Sequence, residues 1–338
     1  MDGTGSPSGS AAAPASTMIR LTGVGKTYPD GTVAVHELDL DVARGEMVVL
    51  VGPSGCGKST TLKMINRLIE PTTGRIEIDG QDVTDADPVK LRRDIGYVIQ
   101  QIGLFPHQRI TANVMTVPLL HGESKSTARQ RAEELLDVVG LDPATYGDRY
   151  PHQLSGGQRQ RVGVARALAA NPPVLLMDEP FGAVDPVVRV KLQDEFLRLQ
   201  RDLGKTVVMV THDIDEAVRM GDRVAVFAAG GRLAQFGTPA ELLARPADDF
   251  VEDFVGATRG LRRLTVTAID PAHLEPMDGV TAGELGATVS VDASLEEALA
   301  AMLREDKAMV GVRRGAEFVG VLTPAGVHRA LRASLRDA

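Results

Sequence analysis

Gly52-Pro53-Ser54-Gly55-Cys56-Gly57-Lys58-Ser59-Thr60 decides how the rest of this chain is read. It satisfies G-x-x-x-x-G-K-[ST], with Gly52, Gly57, Lys58 and Ser59 at the fixed positions. Residues 46–51 before it form a short, valine-rich apolar run that suits a buried strand, and residues 61–68 after it hold no Gly or Pro and can continue as a helix. Phosphate oxygens need many donors at short range. Glycines let the backbone N–H groups curl around them, and the helix N-terminus adds its positive end. In that setting Lys58 reaches the β- and γ-phosphates and the Ser59 hydroxyl ligates Mg²⁺. Strand, loop and helix together imply nucleotide binding. Cys56 reads as a small residue in a tight loop.

At 338 residues the chain is too long for one ordinary domain and suits two, and 43% hydrophobic residues suffice for a sizeable core. A formal net charge of −8 and a pI near 5.5 argue against a dedicated nucleic-acid binder. The lone cysteine excludes an internal disulfide and fits a reducing compartment. No apolar stretch approaches the ~18 residues of a membrane span, and no basic segment followed by an apolar core marks a signal peptide. The expected compartment is the cytoplasm.

Residues 1–17, mostly Gly, Ser, Ala and Pro, read as a disordered tail, with order beginning at Met18. Pro29-Asp30-Gly31 reads as a turn between strands. Tyr28, 24 residues before the phosphate loop, can stack on an adenine ring or simply pack at the surface. Residues 74–80 alternate like an exposed strand ending in an Asp-Gly turn, and residues 95–100 form a strand that ends in Gln100. A helix is expected over 126–139, where Ala128, Ala132, Leu135, Leu136 and Val139 share a face and Gly140 stops it. Residues 153–160 read as a second glycine-containing loop, followed by a helix over 161–170. The apolar run 174–177 ends in Asp178-Glu179, and the run 206–210 delivers Thr211-His212. Between them Leu192, Phe196, Leu199 and Leu203 mark a helix that Gly204 stops. Four strands thus end in polar groups, and in an open α/β sheet such ends converge on one crevice.

At Leu154-Ser155-Gly156-Gly157-Gln158-Arg159-Gln160 the chain resembles a known family, the ATP-binding subunits of ABC transporters, over roughly residues 18–256. The markers stand in that family's order: the phosphate loop, Gln100, the Ser155 segment, Asp178-Glu179, the Ala183-Val184-Asp185 loop and Thr211-His212-Asp213. The implied fold is an α/β P-loop NTPase of the ABC ATPase type, spanning 18–258 with a helical subdomain over about 103–170. The stretch from Ile95 through Gln100 and Gln101 to His107 resembles importers of glycine betaine, proline betaine, choline and related osmoprotectants. By this resemblance residues Gly52, Pro53, Ser54, Gly55, Cys56, Gly57, Lys58, Ser59 and Thr60 bind ATP and Tyr28 stacks on its adenine. Ser59, Gln100 and Asp178 hold Mg²⁺, partly through water; Glu179 is the general base; His212 contacts the γ-phosphate. Ser155, Gly156, Gly157 and Gln158 complete the site of a second copy in a head-to-tail homodimer, with Asp185 in the loop at the dimer contact. Val184 stands where the family usually has leucine, an apolar exchange with little expected consequence. One phosphate loop and one Ser155 segment per chain, separated by helical sequence, independently favour a site completed in trans. The implied partners are transmembrane permease subunits, contacted through residues 101–109, and an extracytoplasmic solute-binding protein, with no nucleic acid. The place of action is the cytoplasmic face of the membrane.

Beyond a basic hinge at 259–263, residues 265–335 read as strand, capped helix, two strands and helix. Ser294 with Glu297 makes a capping box, and Leu295, Leu299, Met302 and Leu303 share a helix face. This order resembles a CBS motif, with 264–279 as a degenerate remnant of a second copy, and implies a small α/β regulatory domain. Ligand binding and a purely structural dimerisation role are both open to it. Other readings are the same ATPase serving a polar amino acid or similar solute, a soluble ABC ATPase uncoupled from membranes, and a binding module without turnover; Glu179 and His212 speak against the last.

Overall fold

Three segments, Met47–Val51, Val174–Asp178 and Thr206–Val210, are buried at every residue. A run without alternation fits only a sheet covered on both faces, and parallel strands are its usual form. The computed structural model describes residues 16–99, 103–182, 184–256, 259–276, 285 and 287–337, and it places these segments in such a sheet. Of the expected tail over 1–17, residues 1–15 lie outside the described residues, as do Gln100 and Ala183; its upper bound is corrected, because Thr17 already belongs to the first strand, paired with Ala43.

In chain order the strands are β1 (Thr17–Thr27), β2 (Val33–Ala43), β3 (Met47–Val51), β4 (Thr73–Ile78), β5 (Gln81–Asp82), β6 (Ile95–Val98), β7 (Val174–Asp178), β8 (Thr206–Val210), β9 (Arg223–Ala228) and β10 (Arg232–Gly237). The central sheet runs β10-β9-β3-β8-β7-β6, parallel from β9 to β6 and closed at one edge by antiparallel β10. An antiparallel sheet, β2-β1-β4-β5, covers one face. The pleat of β3 shows the layering. Met47, Val49 and Val51 enter a core shared with helices, while Val48 and Leu50 enter a second core shared with Ile19, Leu21, Leu40 and Val42 of the antiparallel sheet. Burial of each such side chain contributes roughly 1.5–3 kcal/mol.

Helix Lys58–Ile65 lies between the two sheets, with Leu62 and Ile65 fully buried. On the other face pack helices Ile110–Leu120, Lys125–Val138, Gly156–Leu168 and Pro186–Leu203. Helix Lys125–Val138 follows the expected stripe, capped by Ser124 and stopped at Gly140 with φ +69°. The expected glycine loop before residue 161 is corrected: the helix begins at Gly156. Ser155 accepts from the Gln158 N–H, and the Gln158 side chain accepts from the Ser155 N–H. This reciprocal cap satisfies two end donors and offsets part of the roughly 1 kcal/mol that each glycine costs inside a helix.

The C-terminal unit has β11 (Thr288–Ser290), β12 (Val310–Arg314) and β13 (Glu317–Leu322) in one sheet, with helices Leu295–Glu305 and Pro324–Asp337. Leu295, Met302, Val312, Leu322 and Val327 form its separate core. The strand–helix–strand–strand–helix order is the expected one. The basic hinge is not: residues Arg259–Val266 form a helix. Leu264 joins the C-terminal core while Val266 packs on the main one, so the segment is a packed joint. Its arginines hid that amphipathic pattern. Arg262 pairs with Asp215 and donates to the Val255 carbonyl, fastening the joint to the nucleotide-binding unit.

Candidate functional site

The polar strand ends gather where the sheet order demands. Strands β3, β8, β7 and β6 are consecutive and parallel, so the phosphate loop, Thr211-His212 and Asp178-Glu179 emerge along one edge. β6 stops at Val98, and Gln100 beyond it is outside the described residues.

In the loop, Gly52, Gly55 and Gly57 have φ of +150°, +79° and +95°. Space as well as conformation requires the glycine at two of them. A Cβ on Gly57 would collide with the Ala34 carbonyl oxygen, and one on Gly52 with that of Phe227. β2 therefore flanks the loop, and the turn that precedes β2 is closed by the Tyr28 N–H donating to the Thr32 carbonyl at 2.9 Å. Tyr28 is half-buried at that turn, with Lys26 Nζ 5.5 Å from its ring centre. Lys58 is only 6% exposed. Its Nζ donates to the carbonyls of Gly52 at 2.8 Å and Pro53 at 2.9 Å, which holds the ammonium inside the loop. Cys56 is buried against it, Sγ at 3.4 Å.

Ser59 Oγ donates to Asp178 Oδ1 at 2.8 Å, joining the helix start to the end of β7 across the sheet edge. Burial raises the Asp178 carboxyl above its ordinary range; the Ser59 hydrogen bond opposes this, and neighbouring Glu179 adds to it. Burial, with Asp178 nearby, also pushes the Tyr97 phenol up to about 12, so it stays protonated. Glu179 is left-handed at φ +47°, a conformation that costs about 1–3 kcal/mol outside glycine. Its carboxylate Oε1 lies 3.3 Å from His212 Nδ1, and His212 is largely exposed toward the crevice. The structure thus brings together Gly52 to Thr60, Asp178, Glu179 and His212. It does not bring Ser155, Gly156, Gly157 and Gln158 to the loop: no hydrogen bond joins them to it, and Ser155 is exposed. Asp185 is exposed at the start of helix Pro186–Leu203, and Val184 before it is buried, as the apolar exchange requires.

Similarity to known proteins follows the same lines. A family model described as ABC transporter matches residues 35–182. The glycine betaine/carnitine/choline transport ATP-binding protein OpuCA of Bacillus subtilis is 53% identical over 285 residues, 84% of this chain and 72% of that protein. The chain belongs to the ATP-binding proteins of ABC transporters. The osmoprotectant import ATP-binding protein OsmV of Salmonella typhimurium is 58% identical over 244 residues, 72% of this chain and 64% of that protein. Among solved structures, the ATP-binding cassette MJ0796 in a dimeric post-hydrolysis state bound to ADP and Pi matches with a TM-score of 0.62 at 39% identity, covering 66% of this chain and 99% of that one. As a member of this family the chain is an ATPase of a transporter. No helix among the described residues is long and apolar enough to cross a membrane.

Asn113 and Glu216 are among the residues of this ABC ATPase whose local sequence carries no functional pattern. Asn113 is fully buried in helix Ile110–Leu120, accepts from the Phe105 N–H at 2.7 Å and donates to the carbonyls of Phe105, Gln108 and Arg109. One amide thereby shapes the loop that exposes Phe105, and only its position inside an apolar helix hinted at this. Glu216 is buried behind His212, accepting from Gln193 Nε2 at 2.8 Å. Burial raises its carboxyl, although hydrogen bonds from Thr211 and Gln193 pull the other way.

Gly57→Ala is expected to lower ATP affinity at least about tenfold, since strain of ~1–3 kcal/mol must be relieved by moving the loop. Calorimetric titration checks this, and unchanged affinity would mean that the loop relaxes without losing its shape. For Glu216 the burial cost falls on the charged form, so it is present above the raised pKa and relieved as pH falls through it. Glu216→Gln should therefore match or exceed the parent's thermal midpoint at neutral pH, with the difference closing on acidification. A midpoint well below the parent's at neutral pH would contradict this.

Proposed function

We propose that this chain is the energy-coupling ATPase of an importer for quaternary amines such as glycine betaine, choline or carnitine. One observation carries the ATPase chemistry: four neighbouring parallel strands end on one edge, with Ser59 on Asp178 at 2.8 Å and His212 beside Glu179 at 3.3 Å. The solute class rests on the relatives, whose names specify betaine, carnitine, choline and osmoprotectant transport.

In this reading ATP lies along residues 52–60 with its adenine on Tyr28. Ser59 and Asp178 supply a hydroxyl and a carboxylate, hard oxygen donors that fit Mg²⁺ completed by phosphate oxygens and water. Such an ion neutralises charge on the β- and γ-phosphates. Gln100 follows β6 and would contact the same ion. Glu179 accepts the proton of the attacking water, and His212, held beside it, donates toward the γ-phosphate. Ser155 and Gly157, exposed or half-exposed and without bonds to their own loop, are suited to a nucleotide held by a second copy. Asp185 sits near that contact. ATP binding then favours a closed dimer and hydrolysis reopens it. The loop shaped by Asn113, with Phe105 outward, is the contact for membrane subunits at the cytoplasmic face. A solute-binding protein on the far side would deliver the amine. The CBS-like unit beyond residue 258 tunes this cycle, because every group assigned to phosphoryl transfer precedes it.

Glu179→Gln is expected to retain ATP binding, lower turnover by about 10²–10⁴ and hold an ATP-dependent dimer. Steady-state hydrolysis and size-exclusion chromatography with ATP read both; undiminished turnover would remove Glu179 from its role. Truncation from Arg259 onward should leave basal hydrolysis in a reconstituted transporter within about twofold. It should also shift the salt response of transport by a coupling of ~1–3 kcal/mol. Superimposable salt curves for the full and shortened chains would leave the C-terminal unit without a regulatory part.

A further inference from the structure

Helix Gly156–Leu168 carries a polar residue whose stability role is hard to justify. Gln160 is 3% exposed, and its Oε1 is buried with no donor among the described residues. A buried acceptor left unpartnered opposes folding, and an apolar side chain of similar shape would avoid that loss. Its other end explains it better. Gln160 Nε2 donates to the main-chain carbonyl of Glu179 at 3.1 Å. Glu179 is the left-handed residue whose backbone direction aims the carboxylate at His212. The Glu179 N–H is tied to Val210 at 3.0 Å, and its carbonyl also accepts from the Gly182 N–H at 3.2 Å. Around the amide lies an apolar cleft lined by Val164, Phe181, Val184 and Leu192. Apolar surfaces resist separation but set no direction, so the amide supplies a directional contact between this helix and Glu179.

We propose that Gln160 is a positioning residue that ties the helix capped by Ser155 to the general base of the same chain. This rests on the composite-site reading above, in which Ser155 contacts the nucleotide held by the partner chain. Ser155 and Gln160 are five residues apart on one helix, about 7.5 Å along its axis. A shift of that helix when Ser155 engages the partner-held γ-phosphate moves the Gln160 amide, and with it the Glu179 backbone. Each chain thereby links occupancy of one composite site to the geometry of the base in the other. Since Gln160 is buried and its amide bonds the main chain of Glu179, its effect falls on turnover and not on ATP binding.

The test uses the full-length chain. Gln160→Leu removes both the donor and the unpartnered acceptor at nearly constant volume, and Gly182 still satisfies the Glu179 carbonyl. Expected are a kcat lower by about five- to tenfold, the equivalent of one hydrogen bond, an ATP KM within about twofold, and a thermal midpoint equal to or above the parent's. Gln160→Glu, which sets an acceptor against the carbonyl, should lower kcat further. The link itself is read in cross-linked heterodimers whose second chain is silenced by Glu179→Gln. Adding Ser155→Arg to the active chain should slow that chain's own site, and should slow it no further when Gln160→Leu is already present. Unchanged kcat in either single variant, or a fall in midpoint with KM and kcat worsening together, makes Gln160 a packing residue and overturns the proposal. An own-site rate indifferent to Ser155→Arg does the same. If the parent itself neither hydrolyses ATP nor dimerises with it, the composite-site reading fails instead.

Discussion

A parallel sheet buried on both faces has room for polar side chains only where its strands end. That constraint organises this protein. The strands β3, β7 and β8 carry apolar side chains into two cores, and the polar residues at their C-terminal ends appear together along one edge. The phosphate loop, the carboxylate pair and the histidine are neighbours because their strands are hydrogen-bonded neighbours. The Ser59–Asp178 bond, spanning β3 to β7 with β8 between, expresses that order in one contact.

The same edge holds carboxylates where charge is unfavourable. Asp178 and Glu216 are both buried and both raised by that burial, and each is held by side-chain hydrogen bonds from Ser59 or from Thr211 and Gln193. Folding stability gains nothing from such groups. Perturbed carboxylates of this kind gather at working sites, where a group is held for its chemistry and not for its contribution to stability. The left-handed backbone of Glu179 belongs to the same pattern of local cost at a working site.

Beyond the sheet, two helices transmit position. Helix Gly156–Leu168 joins the Ser155 cap to Glu179 through Gln160. Helix Arg259–Val266 joins the C-terminal core to helix Ile214–Met220, which starts two residues after His212, through the Arg262–Asp215 pair. Such exposed ion pairs contribute little alone, typically ~0–1 kcal/mol. Here the pair is backed by Leu264 and Val266, which pack on opposite cores.

Much of this was legible in the residues themselves. Uninterrupted apolar runs ending in polar residues announce a doubly covered parallel sheet, and the glycine pattern at 52–57 announces the loop that Ala34 and Phe227 crowd. The capping box of Ser294 and Glu297 was equally plain, because a cap is a contact over three residues. Short-range patterns of this kind are written into neighbouring positions. Long-range partnerships are not. Asn113, Gln160 and Glu216 look like ordinary helical polar residues until tertiary structure sets them against Phe105, Glu179 and Gln193. Likewise the arginines of 259–263 resemble a hinge until the two cores close on Leu264 and Val266. Local patterns name the residues capable of phosphate chemistry, whereas folding selects the buried amides and carboxylates that aim them, because a hydrogen bond across 19 or 23 residues leaves no local period to read.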